Sequence, residues 1–190
     1  MPGDQPFTHI QESLKRTAGA LQEAEVPFML GGGLAVWARG GPPTLHDLDL
    51  MVKPEDAERA LEALEAVGMQ PERPPEGWLY KAWDGDVLVD LIFRPVGEPV
   101  DDEMFERADE LEVLAVPMLV MSLEDVMVTR LRTLDEHSLD FERPLEFARS
   151  VRERIDWQDV RNRTDGSPYA KAFFTMLEEL GIVEPASGRS

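Results

Sequence analysis

The segment Val26-Pro-Phe-Met-Leu-Gly-Gly-Gly-Leu34, followed by Asp47-Leu-Asp-Leu50, decides how this chain reads. Residues 26–30 form a short apolar run that ends at three glycines, the pattern of a buried strand. Leu34-Ala-Val-Trp-Ala38 then looks helical, before Gly40-Gly-Pro-Pro43 breaks it. Successive backbone N–H groups at a strand–glycine–helix turn form an anion site. Glycine also lets the backbone come close to a phosphate, because no Cβ intervenes. Gly31, Gly32 and Gly33 are therefore candidate phosphate contacts. A glycine run alone reads equally as a plain turn, and its weight comes from the acids that follow it.

Leu48, Leu50 and Val52 alternate with Asp47, Asp49 and Met51, the period-two pattern of a strand. Asp47 and Asp49 then leave the same face, with Cβ atoms roughly 6–7 Å apart. That spacing lets two carboxylates share a divalent ion or bridge a pair of ions. Asp90 is the one interior acid of Val87-Leu-Val-Asp-Leu-Ile-Phe93. An ionised carboxylate in such a strand must be paired, protonated or metal-bound. A third acid on a neighbouring strand would complete an oxygen site suited to Mg²⁺. The bland alternative for Asp47 is a strand-entry turn residue, whereas Asp90, a lone acid in an apolar strand, needs a partner.

Working outward, Ile10, Leu14, Ala18 and Leu21 predict an amphipathic helix over residues 8–24. Pro54 with Glu55 and Asp56 opens another, whose inner stripe is Ala57, Ala60, Leu61, Leu64 and Val67, and Gly68 stops it. Residues 78–83 and 87–93 read as a hairpin turning at Asp84-Gly85. A further strand is expected around Leu111–Ala115. From Pro117 the pattern predicts helix. Ser122 with Asp125 resembles a capping box, Pro144 starts a helix reaching about Arg154, Asp156 caps a short one, and Ser167-Pro168 opens the last. The outline is α+β: a mixed sheet flanked by helices over residues 1–116, then a helical C-terminal part over 117–190. Trp78, Tyr80 and Trp83 read as core, with a base or acceptor pocket as the alternative.

The 190 residues include no cysteine, so disulfides and thiolate metal sites are excluded. An apolar content of 43% is ample for a core. No apolar run approaches the roughly 20 residues that span a bilayer, and the first residues lack a signal-peptide pattern. A cytoplasmic location and no membrane partner are the expectation. Nineteen basic residues face thirty-eight acidic ones, a formal net charge of −19. Such an excess disfavours nucleic acid and suits a cationic small substrate or a basic protein, with plain solubility as the simplest reading.

Leu30-Gly-Gly-Gly-Leu-Ala-Val-Trp-Ala-Arg39, Thr44-Leu-His-Asp-Leu-Asp-Leu50 and Val89-Asp-Leu91 together resemble the polymerase-beta-like nucleotidyltransferase superfamily. The likeness is greatest to small bacterial members: aminoglycoside and lincosamide nucleotidyltransferases and abortive-infection toxins. It covers about residues 26–93 and implies a nucleotidyltransferase fold. It also implies an NTP co-substrate, two Mg²⁺ ions and transfer of a nucleoside monophosphate to a hydroxyl, here of a small antibiotic-like molecule. The alternatives are a toxin–antitoxin-type enzyme acting on tRNA or a protein, and a catalytically silent nucleotide-binding relative. By the resemblance Gly31, Gly32, Gly33 and Thr44 contact the triphosphate. Asp47, Asp49 and Asp90 hold the metals, and Asp90 also takes the proton of the attacking hydroxyl.

Several positions depart from the superfamily pattern. Pro42-Pro43-Thr44 occupies a loop where relatives carry a basic residue, and Arg39 lies further back. His46 directly precedes Asp47, where antibiotic-modifying relatives place a histidine two positions before the first acid. It reads as a surface residue, with a metal or substrate role as the alternative. Arg130 stands where relatives have a phosphate-binding lysine. It either grips the triphosphate or forms a surface ion pair with Glu124 or Asp125. Lys53 and Lys81 are further phosphate candidates.

Overall fold

The computed structural model describes residues 5–43 and 47–185. Thr44 and His46 lie outside the described residues. Among the described residues, eight α-helices flank one seven-stranded mixed sheet. In chain order these are α1 (Gln5–Glu23), β1 (Phe28–Leu30), α2 (Gly32–Ala38), β2 (Leu48–Val52), α3 (Ala57–Ala66) and β3 (Gln70–Glu72). Then come β4 (Leu79–Asp84), β5 (Val87–Ile92), a 3₁₀ turn (Pro95–Gly97), α4 (Asp102–Glu106), β6 (Asp109–Val113) and β7 (Val116–Val120). The last helices are α5 (Leu123–Arg132), α6 (Glu142–Val151), α7 (Trp157–Arg163) and α8 (Pro168–Glu179).

The strand order is β3-β4-β5-β2-β1-β7-β6. β2 runs parallel to β5 and β1 parallel to β7, and the remaining pairs are antiparallel. One face of the sheet is apolar because every second residue is. Leu48, Leu50, Val52, Val89 and Leu91 are fully buried there. α1 and α3 cover this face with Leu14, Ala18, Leu21, Ala60, Leu61 and Leu64. Each fully buried leucine contributes about 1.5–3 kcal/mol relative to exposure. Ser13 Oγ on α1 donates to Asp84 Oδ2 at 2.7 Å and ties the helix to β4. The opposite face carries Asp49, Met51, Asp90 and Ile92, and it is this face that the functional cavity uses.

The structure corrects three expectations. The hairpin tip between β4 and β5 is Gly85-Asp86, since Asp84 pairs with Val87. Gly85 takes the left-handed conformation there, with φ +63°. Helix does not begin at Pro117. Val116–Val120 is a strand beside β1, with Val120 paired to Leu30, and helix starts at Leu123. A five-residue apolar run does not distinguish strand from helix by periodicity, and Pro117 stands outside the rungs that β7 shares with β1. The expected strand 111–115 stops at Val113 because Leu114 and Ala115 form the two-residue turn into β7. β3 and α4 carry too little pattern to be foreseen.

The caps agree with the sequence reading. Ser122 Oγ accepts from Asp125 N, Asp156 accepts from Gln158 N and Asp159 N, and Ser167 accepts from Ala170 N. Asp125 does more than cap. Its carboxylate is fully buried, accepts from Arg107 Nε at 3.0 Å and from Ser122 Oγ at 2.9 Å, and is paired with Arg163. Burial alone would raise its pKa. The hydrogen bonds from Arg107, Arg163 and Ser122 and the Arg163 charge outweigh that and hold it below the usual carboxylate range. This knot joins α5 to α4 and α7 and fixes how α5 lies over the sheet.

Candidate active site

β1 ends at Leu30 and the chain turns immediately. Gly31 N donates to the carbonyl of Asp49 at 2.8 Å, so the turn is stitched to the strand that carries the acids. Gly32 follows with φ +53°, and a Cβ there would stand 1.8 Å from Asp49 Oδ2. No other residue type fits that position without moving the carboxylate. Gly31 has a different role: a Cβ on it would meet Met51 Cε at 2.9 Å, and it does not line the cavity. Gly32 and Gly33 do.

Asp49 on β2 and Asp90 on β5 are register partners in the parallel ladder. Adjacent strands lie about 4.8 Å apart, so the two carboxylates leave the same face side by side. Asp47, exposed at the head of β2, joins them on the wall of one cavity of about 400 Å³. Burial pushes Asp49 up to about 6, against the pull of Arg130 and with a further push from Asp47. Asp90 is likewise raised to about 6, by burial first and then by the Asp49 charge, with Lys81 opposing. Asp90 Oδ1 is buried and accepts no hydrogen bond among the described residues.

Two half-buried acids on one rung of adjacent strands, one with an orphaned oxygen, match what a hard cation requires of its ligands. Among the described residues, no three acids are already drawn together as a finished metal shell. Asp49 and Asp90 form the close pair, and Asp47 stands on the same wall.

The roof of the cavity comes from the C-terminal helices. Val126, Thr129, Arg130 and Thr133 follow helical spacing along α5 and its end, and Arg143 and Phe147 lie one turn apart on α6. Arg130 thus faces the acids. The alternative pairing is not seen, because Asp125 is held by Arg107 and Arg163 and Glu124 accepts from Asp156 N at 2.7 Å. Lys53 is turned away, paired with Asp102 and lying over the Phe105 ring. Arg39 is also committed elsewhere: it donates to the carbonyls of Met121 and Val120 and pairs with Asp109. Lys81 is near the site, with Nζ 3.9 Å from Asp90 Oδ1.

Of the three aromatics, Trp78 lines the cavity and is 41% exposed. Tyr80 packs on Phe93 and the Arg73 guanidinium, and Trp83 donates to Glu72 at the surface. Sequence reasoning missed Thr129, Thr133, Arg143, Phe147 and the Pro95-Val96 wall. The two threonines were within reach, since they share a helical face with Arg130.

With this geometry the sequence comparisons become interpretable. Residues 8–178 match the family described as uncharacterised nucleotidyltransferase. The chain belongs to that family and is a nucleotidyltransferase. No curated protein matches the sequence.

Among solved structures, the solution structure of the antibiotic-resistance factor ANT(2'')-Ia is similar at 16% identity and a TM-score of 0.64. The alignment covers 92% of this chain and 97% of that one. A crystal structure of the lincosamide antibiotic adenylyltransferase LnuA, lincomycin-bound, aligns at 12% identity and a TM-score of 0.53 over 80% of this chain and 97% of that one. These likenesses establish the fold.

Proposed function

We propose that the chain is an Mg²⁺-dependent enzyme that transfers a nucleoside monophosphate from an NTP to a hydroxyl of a small cationic acceptor. The observation that carries this reading is the Asp49–Asp90 rung beside Gly32, where a Cβ would collide with the carboxylate. Asp47, Asp49 and Asp90 would hold the metal, which when bound offsets the charge of the triphosphate and of the leaving pyrophosphate. Gly32 and Gly33 let the phosphates lie against the backbone, and Arg130 faces them from α5.

In the transfer, the acceptor oxygen forms a bond to the α-phosphorus as the bond to the pyrophosphate oxygen breaks. The hydroxyl proton passes to Asp90, which lines the same cavity and acts as general base. Trp78, Ile92, Pro95 and Val96 line the cavity near the Asp90 side and offer the acceptor an apolar face. Residues 1–116 with β7 supply the acids and glycines, and the helical part beyond supplies the roof.

The acidic surface supports a cationic acceptor, since a net charge of −19 attracts cations and repels phosphate backbones. Two of the structural neighbours, one in complex with adenylyl-2''-tobramycin and one lincomycin-bound, support a small molecule as the acceptor.

The test is incubation with α-labelled NTPs and Mg²⁺ against a panel of aminoglycosides and lincosamides, with bulk tRNA as a separate arm. Label should move to a small molecule, and Asp49→Asn should abolish transfer while the circular dichroism spectrum stays unchanged. Label on tRNA alone contradicts the acceptor class. Wild-type turnover by Asp49→Asn removes Asp49 from the mechanism.

A further inference from the structure

The acid pair belongs to a longer row of charges. In the sheet register Glu72 on β3 stands opposite Lys81 on β4, Lys81 opposite Asp90 on β5, and Asp90 opposite Asp49 on β2. Four ionisable side chains therefore leave one face on four consecutive strands, with a single cation between acids. The Lys81 side chain is 28% exposed and that of Asp90 14%. Their separation of 3.9 Å is ion-pair range yet too long for a hydrogen bond, and the oxygen concerned is the one that accepts nothing. The ammonium balances this carboxylate without filling its coordination.

On the other side, Glu72 is held in place because its Oε2 accepts from Trp83 Nε1 at 3.2 Å. Directly opposed cross-strand residues have Cβ atoms about 4.5–5.5 Å apart, and lysine carries its charge on a flexible four-carbon stem. Lys81 thus reaches either acid with no backbone change.

We propose that Lys81 is a built-in competitor for the metal at Asp90, balancing that carboxylate while no divalent ion is present and swinging to Glu72 when one arrives. The inference rests on the reading of Asp49 and Asp90 as metal ligands. Two cations a few ångströms apart in a partly dry site repel strongly, so the metal and the ammonium do not share Asp90 without cost. The nucleotide-free site then binds metal weakly, and the ion is retained when the triphosphate brings additional oxygens to it.

The test is titration of nucleotide-free protein with Mn²⁺, following free Mn²⁺ by electron paramagnetic resonance. The chains compared are wild type, Lys81→Met, Lys81→Gln, Glu72→Gln and Asp90→Asn. Removing the ammonium should tighten Mn²⁺ binding by about tenfold or more. Lys81→Gln keeps a polar stem and guards against a loss of fold in Lys81→Met. Glu72→Gln keeps the acceptor for Trp83 but removes the alternative anion, so it should weaken binding several-fold. Asp90→Asn should bind poorly.

Unchanged or weaker binding in both Lys81 variants, with Mn²⁺ binding intact in the wild type, overturns the role of Lys81. An unchanged Glu72→Gln overturns the swing. Absence of Mn²⁺ binding in every chain, the Lys81 variants included, overturns the metal reading itself.

Discussion

Asp90 is a largely buried acid whose ionisation works against folding. A carboxyl raised from 3.8 to about 6 loses free energy on folding whenever it ionises. The sign follows from the direction of the shift. Below the unfolded value the acid is neutral in both states and costs nothing. As pH rises from about 4 through 6 the folded state resists ionisation while the unfolded state does not, so stability falls. Above that range the penalty is constant.

Asp90→Asn removes the penalty. In metal-free buffer with chelator the variant should be more stable than wild type at pH 8 by on the order of 1–2 kcal/mol, a few degrees in Tm. The gain should vanish near pH 4. Thermal melts across that range check it, and a variant less stable than wild type at pH 8 would show that Asp90 is a structural anchor. Gly32 carries the same lesson in steric form: its lack of a side chain serves the Asp49 carboxylate rather than the turn alone.

Among the elements, those whose pattern is local were legible from sequence. α1, α3 and β2 follow their periodicities, and Ser122, Asp156 and Ser167 cap the helices expected of them. The β6–β7 hairpin was not legible. Its turn residues Leu114 and Ala115 have φ of +55° and +64°, and neither is a glycine or asparagine that would announce a turn. Tertiary pairing of β7 with β1 imposes the conformation against local preference.

The left-handed region costs a non-glycine residue roughly 1 kcal/mol or more. Ala115→Gly should therefore stabilise the protein by up to about 1 kcal/mol, less the added chain entropy of glycine in the unfolded state. Urea unfolding measures this, and a destabilised variant would contradict the assigned turn. The cavity roof was legible only in part for a related reason. Arg130 could be placed on α5 by spacing, but Arg143 and Phe147 come to line the cavity only through the packing of α6 beside α5, which the Asp125 knot helps to set over the sheet.

At the scale of the whole molecule, the candidate cavity lies between a sheet that supplies anions and helices that supply a cation and apolar walls. The excess of acids over bases in the full chain makes the surface a poor host for a phosphate backbone. The anionic nucleotide must then be drawn in by the interior of the site. Among the described residues no helix is long and apolar enough to cross a membrane.

The most direct examination of this arrangement is calorimetric titration of a non-hydrolysable NTP analogue into wild type and Asp49→Asn, each with Mg²⁺ and with chelator. Binding is predicted for the wild type with Mg²⁺ only, and for the variant in neither buffer. Equal binding by wild type in chelator, or by Asp49→Asn in Mg²⁺, would mean that these carboxylates do not hold the nucleotide through a metal.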